Sequence, residues 1–269
     1  MTCLTFIIPI RHQESSENWD ILVQNLKQTV RSIRCQTSPE WKAVIVANFG
    51  AKLPKLPNNF DVCFVDFQAN QHYLQGSADL EFFREAVRFD KGRRLLEGIK
   101  YSGDTNYFMF VDDDDLVHCD LTQFVSENVG ENGWYINEGL IWQNNSNLLM
   151  RYKGFYLFCG TSHIVRSDLL MLEQFEHDID SKYLKRMLGS HIFLKSELEK
   201  NKTPLNPLPF RGAIYRVGHA DAHSKNRGII GTFFFKKSIL RSPITMIKRL
   251  LSLRWLSSKI KRTYFGLSD

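Results

Sequence analysis

Hydrophobic residues fall along this chain in two alternating rhythms, short continuous runs and stretches spaced by three and four, and the alternation predicts its architecture. Leu4-Thr-Phe-Ile-Ile-Pro-Ile10 is an apolar run of strand length, followed by a polar loop from Arg11 to Glu17. It reads as a first, central parallel strand. From Trp19 to Cys35, Leu22, Leu26, Val30 and Ile33 recur on one helical face, so a helix follows. Trp41 to Ala47, ending at Asn48-Phe-Gly50, and Asp61 to Asp66 read as second and third strands. Residues 79 to 101 return to helical spacing through Phe82, Phe83, Val87, Leu95, Leu96 and Ile99, with Gly92 as a break between two helices. A fourth strand, Tyr107 to Val111, runs straight into four aspartates.

Strands that alternate with helices imply parallel crossovers, and such sheets bind ligands at the carboxyl ends of their strands. The loops at 11–17, 48–58 and 112–118 should therefore share one rim. Beyond about residue 130 the rhythm shortens. Trp134, Tyr135, Trp142 and Tyr152 to Phe158 predict short strands or a sheet extension, and Glu173 to Lys200 predicts a helix. Pro204, Pro207 and Pro209 mark a rigid loop before a strand from Ala213 to Val217.

Composition fits one large α/β domain: 269 residues, 43% of them apolar, suffice for a sizeable core. The five cysteines, at 3, 35, 63, 119 and 159, are widely spaced and form no CxxC pair, which suits a reducing cytosol better than a disulfide framework or a zinc site. The apolar run Phe6 to Ile10 is too short for a signal peptide or a membrane span. The net charge of +6 conceals an asymmetry, because residues 225–269 carry eleven Lys or Arg against one acid, Asp269. The remainder holds 24 bases and 28 acids. Within the basic segment Leu240, Ile244, Ile247, Leu251 and Trp255 fall at helical spacing among Lys248, Arg249, Arg254, Lys259, Lys261 and Arg262. Two readings fit: a helix over 236–262 lying on an anionic membrane surface, or a helix packing its stripe on the domain with a solvated basic face. Aromatic platforms interleaved with bases are not evident, so nucleic acid is not an expected partner.

Asp112 to Asp115 carries the chemistry. Four carboxylates at a strand end repel one another and raise each other's pKa unless a cation offsets them. Mg²⁺ or Mn²⁺ meets that need, taking one or two carboxylates and completing its shell with water and phosphate oxygens. A phosphorylated substrate follows, with the metal offsetting charge that grows on a diphosphate leaving group. The alternative is a solvated acidic turn in which Asp115 or Asp120 caps a helix.

On Phe6-Ile-Ile-Pro-Ile-Arg11, Trp41-Lys-Ala-Val-Ile-Val-Ala-Asn48 and Val111-Asp-Asp-Asp-Asp-Leu116, the chain resembles the GT-A glycosyltransferases, family 2 in particular, over roughly residues 1–225. The resemblance implies a Rossmann-like, mostly parallel sheet flanked by helices. Residues 1–118 would form a nucleotide-sugar half and 119–225 an acceptor half, with 226–269 a basic amphipathic helical tail. It places Pro9, Arg11 and Glu14 beside the base and ribose, and Asn48 against the uracil ring, where relatives carry Asp. Asp112 takes a ribose or metal-water role with Asp113 on the nucleotide side, and Asp114 and Asp115 become direct metal ligands. Lys91 and Arg94 are candidates for phosphate oxygens, the alternative being an exposed basic cluster at a helix start capped by Asp90. Gly160, Thr161 and Ser162 would form the floor between donor and acceptor, the alternative for Thr161 and Ser162 being simple turn hydrogen bonding. Where relatives carry an acidic base this chain has Gly189-Ser-His191; His191 is either a base, because its ordinary pKa lies near physiological pH, or a satisfied helix-start histidine, with Asp178, Asp180 and Glu138 as further base candidates. His219 would complete the metal shell, with His223 in reserve and Ser224 donating to phosphate; the alternatives for this His-x-Asp-x-His segment are a separate zinc site or an ordinary polar surface loop.

The implied activity is metal-assisted transfer of a sugar from a UDP-sugar to a glycan or lipid-linked acceptor in cell-surface polysaccharide assembly. A nucleotidyltransferase would share the sheet and the metal but would carry a Gly-rich first loop, and Arg11 to Glu17 has no glycine. A carbohydrate-binding relative that lost catalysis would account for Asn48 and the altered base position.

Overall fold

β1 (Thr2–Pro9) lies between β2 (Trp41–Asn48) and β4 (Thr105–Phe110), parallel to both. These coordinates are a computed structural model that describes residues 2–70, 80–170, 180–218, 228–234 and 243–267. β3 (Phe60–Val65) continues the sheet in parallel beyond β2. The strand order 3-2-1-4 reverses beside β1, which opens a crevice beyond the carboxyl ends of β1 and β4. β1 is apolar without alternation because both of its faces are covered. Phe6, Ile8 and Ile10 pack with Leu22, Leu26, Val30 and Ile33 of α1 (Trp19–Arg34). Ile7 turns the other way, joining Val44 and Val46 against Leu95, Leu96 and Ile99 of α2 (Leu80–Ser102). α1 starts at Asn18, whose side chain accepts from the Ile21 amide at 3.1 Å, and ends with Arg31 and Arg34 against its negative terminus.

α2 is one helix, not the two that a break at Gly92 predicts. A Cβ on Gly92 would lie 2.3 Å from the Leu184 carbonyl oxygen, and one on Gly98 would lie 2.6 Å from Ile7. Both glycines serve close approach, and the packing they permit offsets the roughly 1 kcal/mol that glycine costs a helix interior. Asp90 is accordingly mid-helix and caps nothing.

The second half builds more sheet than the sequence shows. Beyond β4 the first sheet continues with antiparallel β9 (His163–Arg166) and β6 (Gly133–Tyr135), then β10 (Asn206–Pro207) parallel to β6. Four of its six pairings are parallel, which meets the expectation of a mostly parallel sheet flanked by helices. A separate five-stranded sheet runs β12 (Leu253–Trp255), β8 (Leu148–Lys153), β7 (Glu138–Gln143), β11 (Ala213–Val217) and β5 (Leu116–Val117). α3 (Leu121–Ser126) follows β5. Of the helix expected over 173–200, the part up to 179 lies outside the described residues, and the rest is interrupted: a turn from Ser181 passes into a π-helical stretch to Leu188, and α4 (His191–Lys200) starts afresh after Gly189-Ser190. A Cβ on Gly189 would sit 1.9 Å from the Arg88 carbonyl, so the interruption marks where this segment meets α2.

A boundary at residue 225 does not separate a helical tail. After α5 (Gly228–Phe233), α6 (Pro243–Ser252) gives way to β12, which pairs antiparallel with β8 and carries Trp255 on a strand. Tyr264 and Phe265 are buried with Leu116, Leu140, Trp142, Leu149 and Ile214. The segment 253–267 thus completes a sheet and a core. Leu240 lies outside the described residues.

Candidate functional site

A polar stripe on the buried face of α1 shapes the acidic turn. The Thr29 hydroxyl lies 2.8 Å from the Asp115 carbonyl and 3.0 Å from that of Asp113. One turn along, Ser32 accepts from the Val117 amide at 2.8 Å and reaches its carbonyl at 3.0 Å. Gln36 then accepts from the Thr122 amide and donates to the His118 carbonyl. Spaced by three and four, these side chains satisfy backbone groups that irregular chain leaves unpaired.

Asp115 locks the turn from within and is not placed to hold a metal. It is fully buried, and both its oxygens are taken. The Thr161 hydroxyl donates to Oδ2 at 2.6 Å, the Cys159 thiol approaches the same atom at 3.2 Å, and the Arg216 amide donates to Oδ1 at 3.3 Å. Burial, then the charges of Asp114 and Asp112, hold its pKa well above the usual carboxylate range. Thr161 also accepts from the Asp112 amide at 2.9 Å, so one hydroxyl ties the two ends of the turn together. The expected floor is therefore a support: Thr161 and Ser162 are buried, Ser162 donating to the Cys159 carbonyl at 2.7 Å. Gly160 stands against the site itself, since a Cβ there would fall 2.3 Å from Asp112 Oδ2 and 2.7 Å from Lys91 Nζ.

The crevice at the carboxyl ends of β1 and β4 holds a cavity of about 480 Å³. Pro9, Arg11, Lys91, Arg94, Asp112, Asp113, Asp114 and His191 all line it. Glu14 does not; it is exposed on a short 3-10 turn. Asn48 is buried behind the rim, its amide donating to the Phe67 carbonyl at 2.6 Å while its Oδ1 is buried with no hydrogen-bond partner. His219, His223, Ser224 and Asp178 lie outside the described residues. Asp180 caps the turn at Ser181, and Glu138 lines a second, separate cleft.

Arg94 is the most informative residue in the cavity. Its side chain is 1% exposed, and Asp90 fixes it through a 2.8 Å bond from Nε. Both terminal nitrogens are buried with no hydrogen-bond partner, although the guanidinium lies 5.5 Å from the Phe67 ring centre. A guanidinium held this way keeps two donors without acceptors in the cavity wall, a fork of the kind that an anion satisfies. Lys91 pairs with Asp112 across the cavity. Burial pulls the Lys91 ammonium down, but the charge and hydrogen bond of Asp112, with Asp115 behind, outweigh it and leave the pKa raised.

Arg216, which sequence reasoning missed, supports the acids from behind. It is 1% exposed, bonded to Asn25 and Gln28 of α1 and stacked 5.1 Å over Trp142. Burial lowers its pKa and the charges of Asp114, Asp115 and Asp113 oppose that. The protein thus supplies part of the cationic partner that the acidic run demands. His191 begins α4, where burial and then the Lys91 charge push its pKa down to about 4. It is neutral at physiological pH and a weak proton acceptor, which corrects the expectation of an unshifted base. Phe83, Val87, Arg84, Arg88 and Tyr215 also line the cavity without having been singled out.

The donor set suits a hard cation without forming a cage. Asp112, Asp113 and Asp114 face one cavity, yet among the described residues the one trio with ligand atoms within 4.8 Å of one another is His118, Cys119 and Asp120. There His118 Nδ1 accepts from the Asp120 amide and the ring packs on Phe210 and Tyr264, a structural arrangement. One or two carboxylates that leave room for phosphate oxygens and water match the way Mg²⁺ binds.

No protein-family model matches the chain, and no curated protein matches it. Among solved structures, a crystal structure of S. aureus TarS 1-349 overlaps with a TM-score of 0.47 at 12% identity, covering 80% of this chain and 60% of that one. A second S. aureus TarS structure gives 0.45 at 14% identity, covering 80% and 37%. The chain therefore spans less than two thirds of either structure, and overlaps this loose decide neither fold nor activity.

Proposed function

We propose that the cavity binds a nucleoside diphosphate sugar and that the protein transfers the sugar to a glycan or lipid-linked acceptor, with UDP-sugar as the donor class. The observation that carries the reading is Arg94: a buried guanidinium with two unpartnered nitrogens on the wall of a crevice at the strand-order reversal. An unsatisfied buried donor costs about 1–3 kcal/mol, and an arriving phosphate recovers that cost. Pro9 and Arg11 extend the wall from the end of β1, toward the place where such crevices hold a nucleoside. Asp112 and Asp114 would hold Mn²⁺ or Mg²⁺ with the diphosphate. When bound, the ion offsets charge on the departing nucleoside diphosphate.

The chain's own residues account for the rest. Asp115, Thr161 and Arg216 fix the acidic turn before substrate arrives, so little reorganisation accompanies charge development. A diphosphate seated against Lys91 offsets one cause of the depressed His191 pKa, which raises His191 toward the range where it accepts a proton from a sugar hydroxyl. Thermal-shift titration with nucleotide sugars and Mn²⁺ tests the reading: a shift that grows with ligand concentration supports it, and none with any nucleotide overturns it.

A further inference from the structure

The face of α6 that points away from the domain is apolar and ringed by cations. Ile244, Ile247, Leu250 and Leu251, with Trp255 on β12 beyond, are each between 53% and 70% exposed. A monomer with no use for such a patch would not expose it. The opposite face is anchored: Arg249 donates to the Phe233 carbonyl, and β12 pairs with β8 from Leu253 to Trp255. Exposure thus belongs to the packed arrangement of the helix. Between residues 243 and 267 there are six Lys or Arg and no acid, and Lys248, Arg254 and Lys259 are exposed beside the apolar face. Against the edge of α6 a cleft of about 280 Å³ adds Arg151 and Lys153 from β8 to Lys248, with Glu138 pairing Arg151 at 3.5 Å.

We propose that this face docks on an anionic lipid bilayer, the apolar side chains and Trp255 entering the headgroup boundary while Lys248, Arg254 and Lys259 meet lipid phosphates. Charge selects this occupant. A protein partner covering the same apolar stripe would need acids matched to each cation, whereas an anionic leaflet presents negative charge everywhere along the stripe. Tryptophan beside leucine and isoleucine, with basic residues at the edge, is the composition of an interfacial helix. Lys248 lies one turn from Ile244 and beside Leu251, so its stem can lie along apolar surface with the ammonium at headgroup level.

Co-sedimentation of the full chain with phosphatidylcholine vesicles, with and without phosphatidylglycerol, tests it. Binding should require phosphatidylglycerol, weaken with salt, and shift Trp255 emission to the blue. Each cation contributes roughly fivefold, so the double variant K248E/R254E should bind at least roughly 25-fold more weakly. I247D/L251D should lose binding with its melting temperature kept, because both side chains are exposed. Failure of the wild type to sediment with phosphatidylglycerol vesicles overturns the proposal. Undiminished binding of both folded variants does so too, as does a concentration-dependent dimer that I247D/L251D abolishes, which would assign the face to a second copy of the chain.

Discussion

Replacing Arg94 with Met separates what this residue does for the fold from what it does for a ligand. In the unliganded protein the substitution removes one charged hydrogen bond, the 2.8 Å contact from Nε to Asp90, worth about 1.5–3 kcal/mol. It also removes two buried nitrogens without partners, each a penalty of about 1–3 kcal/mol. Asp90 is not stranded, because Arg93 bonds to its other oxygen. Methionine fills much of the same volume, so no large cavity opens. The relieved penalties match or exceed the lost bond, so R94M should be at most about 1 kcal/mol less stable than the wild type. Binding behaves differently. Loss of one charged hydrogen bond to a phosphate weakens affinity for a nucleoside diphosphate by about 10- to 100-fold. Urea denaturation reads the first quantity and isothermal titration with UDP and Mn²⁺ the second. A variant markedly less stable than the wild type but with unaltered affinity would refute the reasoning and make Arg94 a structural residue.

Three further outcomes follow from the packing and charges. T161V should cost about 1–3 kcal/mol in urea denaturation, since it strands the Asp112 amide and removes the hydroxyl that donates to Asp115; an unchanged midpoint would remove Thr161 from the support of the turn. His163 is buried, and burial holds its pKa down to about 3, so the unfolded chain protonates first as pH falls. Its stability contribution is complete above about pH 6.5 and is lost progressively toward pH 3, on the order of 4–5 kcal/mol in all. H163L should flatten that slope, and an equal slope in both proteins would contradict the assignment. F265A should cost about 3–5 kcal/mol, because the ring is buried beside Trp142 at 4.9 Å; a loss under about 1 kcal/mol would mean that the C-terminal segment is an appendage after all.

The parallel half of the fold was legible because burial on both faces leaves continuous apolar runs. Leu4 to Ile10, Trp41 to Ala47 and Tyr107 to Val111 each became a strand. Strand ends then placed Arg11 and Asp112 at one crevice. What stayed hidden depended on contacts distant in sequence. Gly92 reads as a helix breaker until the Leu184 carbonyl is seen against it. Asp115 reads as one of four equivalent acids until Cys159, Thr161 and Arg216 converge on it. One overlooked signal was present: Asn25, Thr29, Ser32 and Gln36 are polar at helical spacing beside the apolar stripe of α1, and polar residues there need partners. Those partners are Arg216, the acidic turn and the segment that follows it. Trp255 follows the helical spacing of its neighbours yet joins a strand, because pairing with β8 outweighs local preference.

Donor cleavage in the crevice beside Asp112 to Asp114 is the step on which the proposed function rests. The most direct measurement is release of nucleoside diphosphate from a panel of nucleotide sugars by the purified chain, with Mn²⁺ present or chelated and with D114N alongside. Release from at least one uridine donor is expected, lost on chelation and in folded D114N. No release from any donor, together with no nucleotide binding, would contradict it.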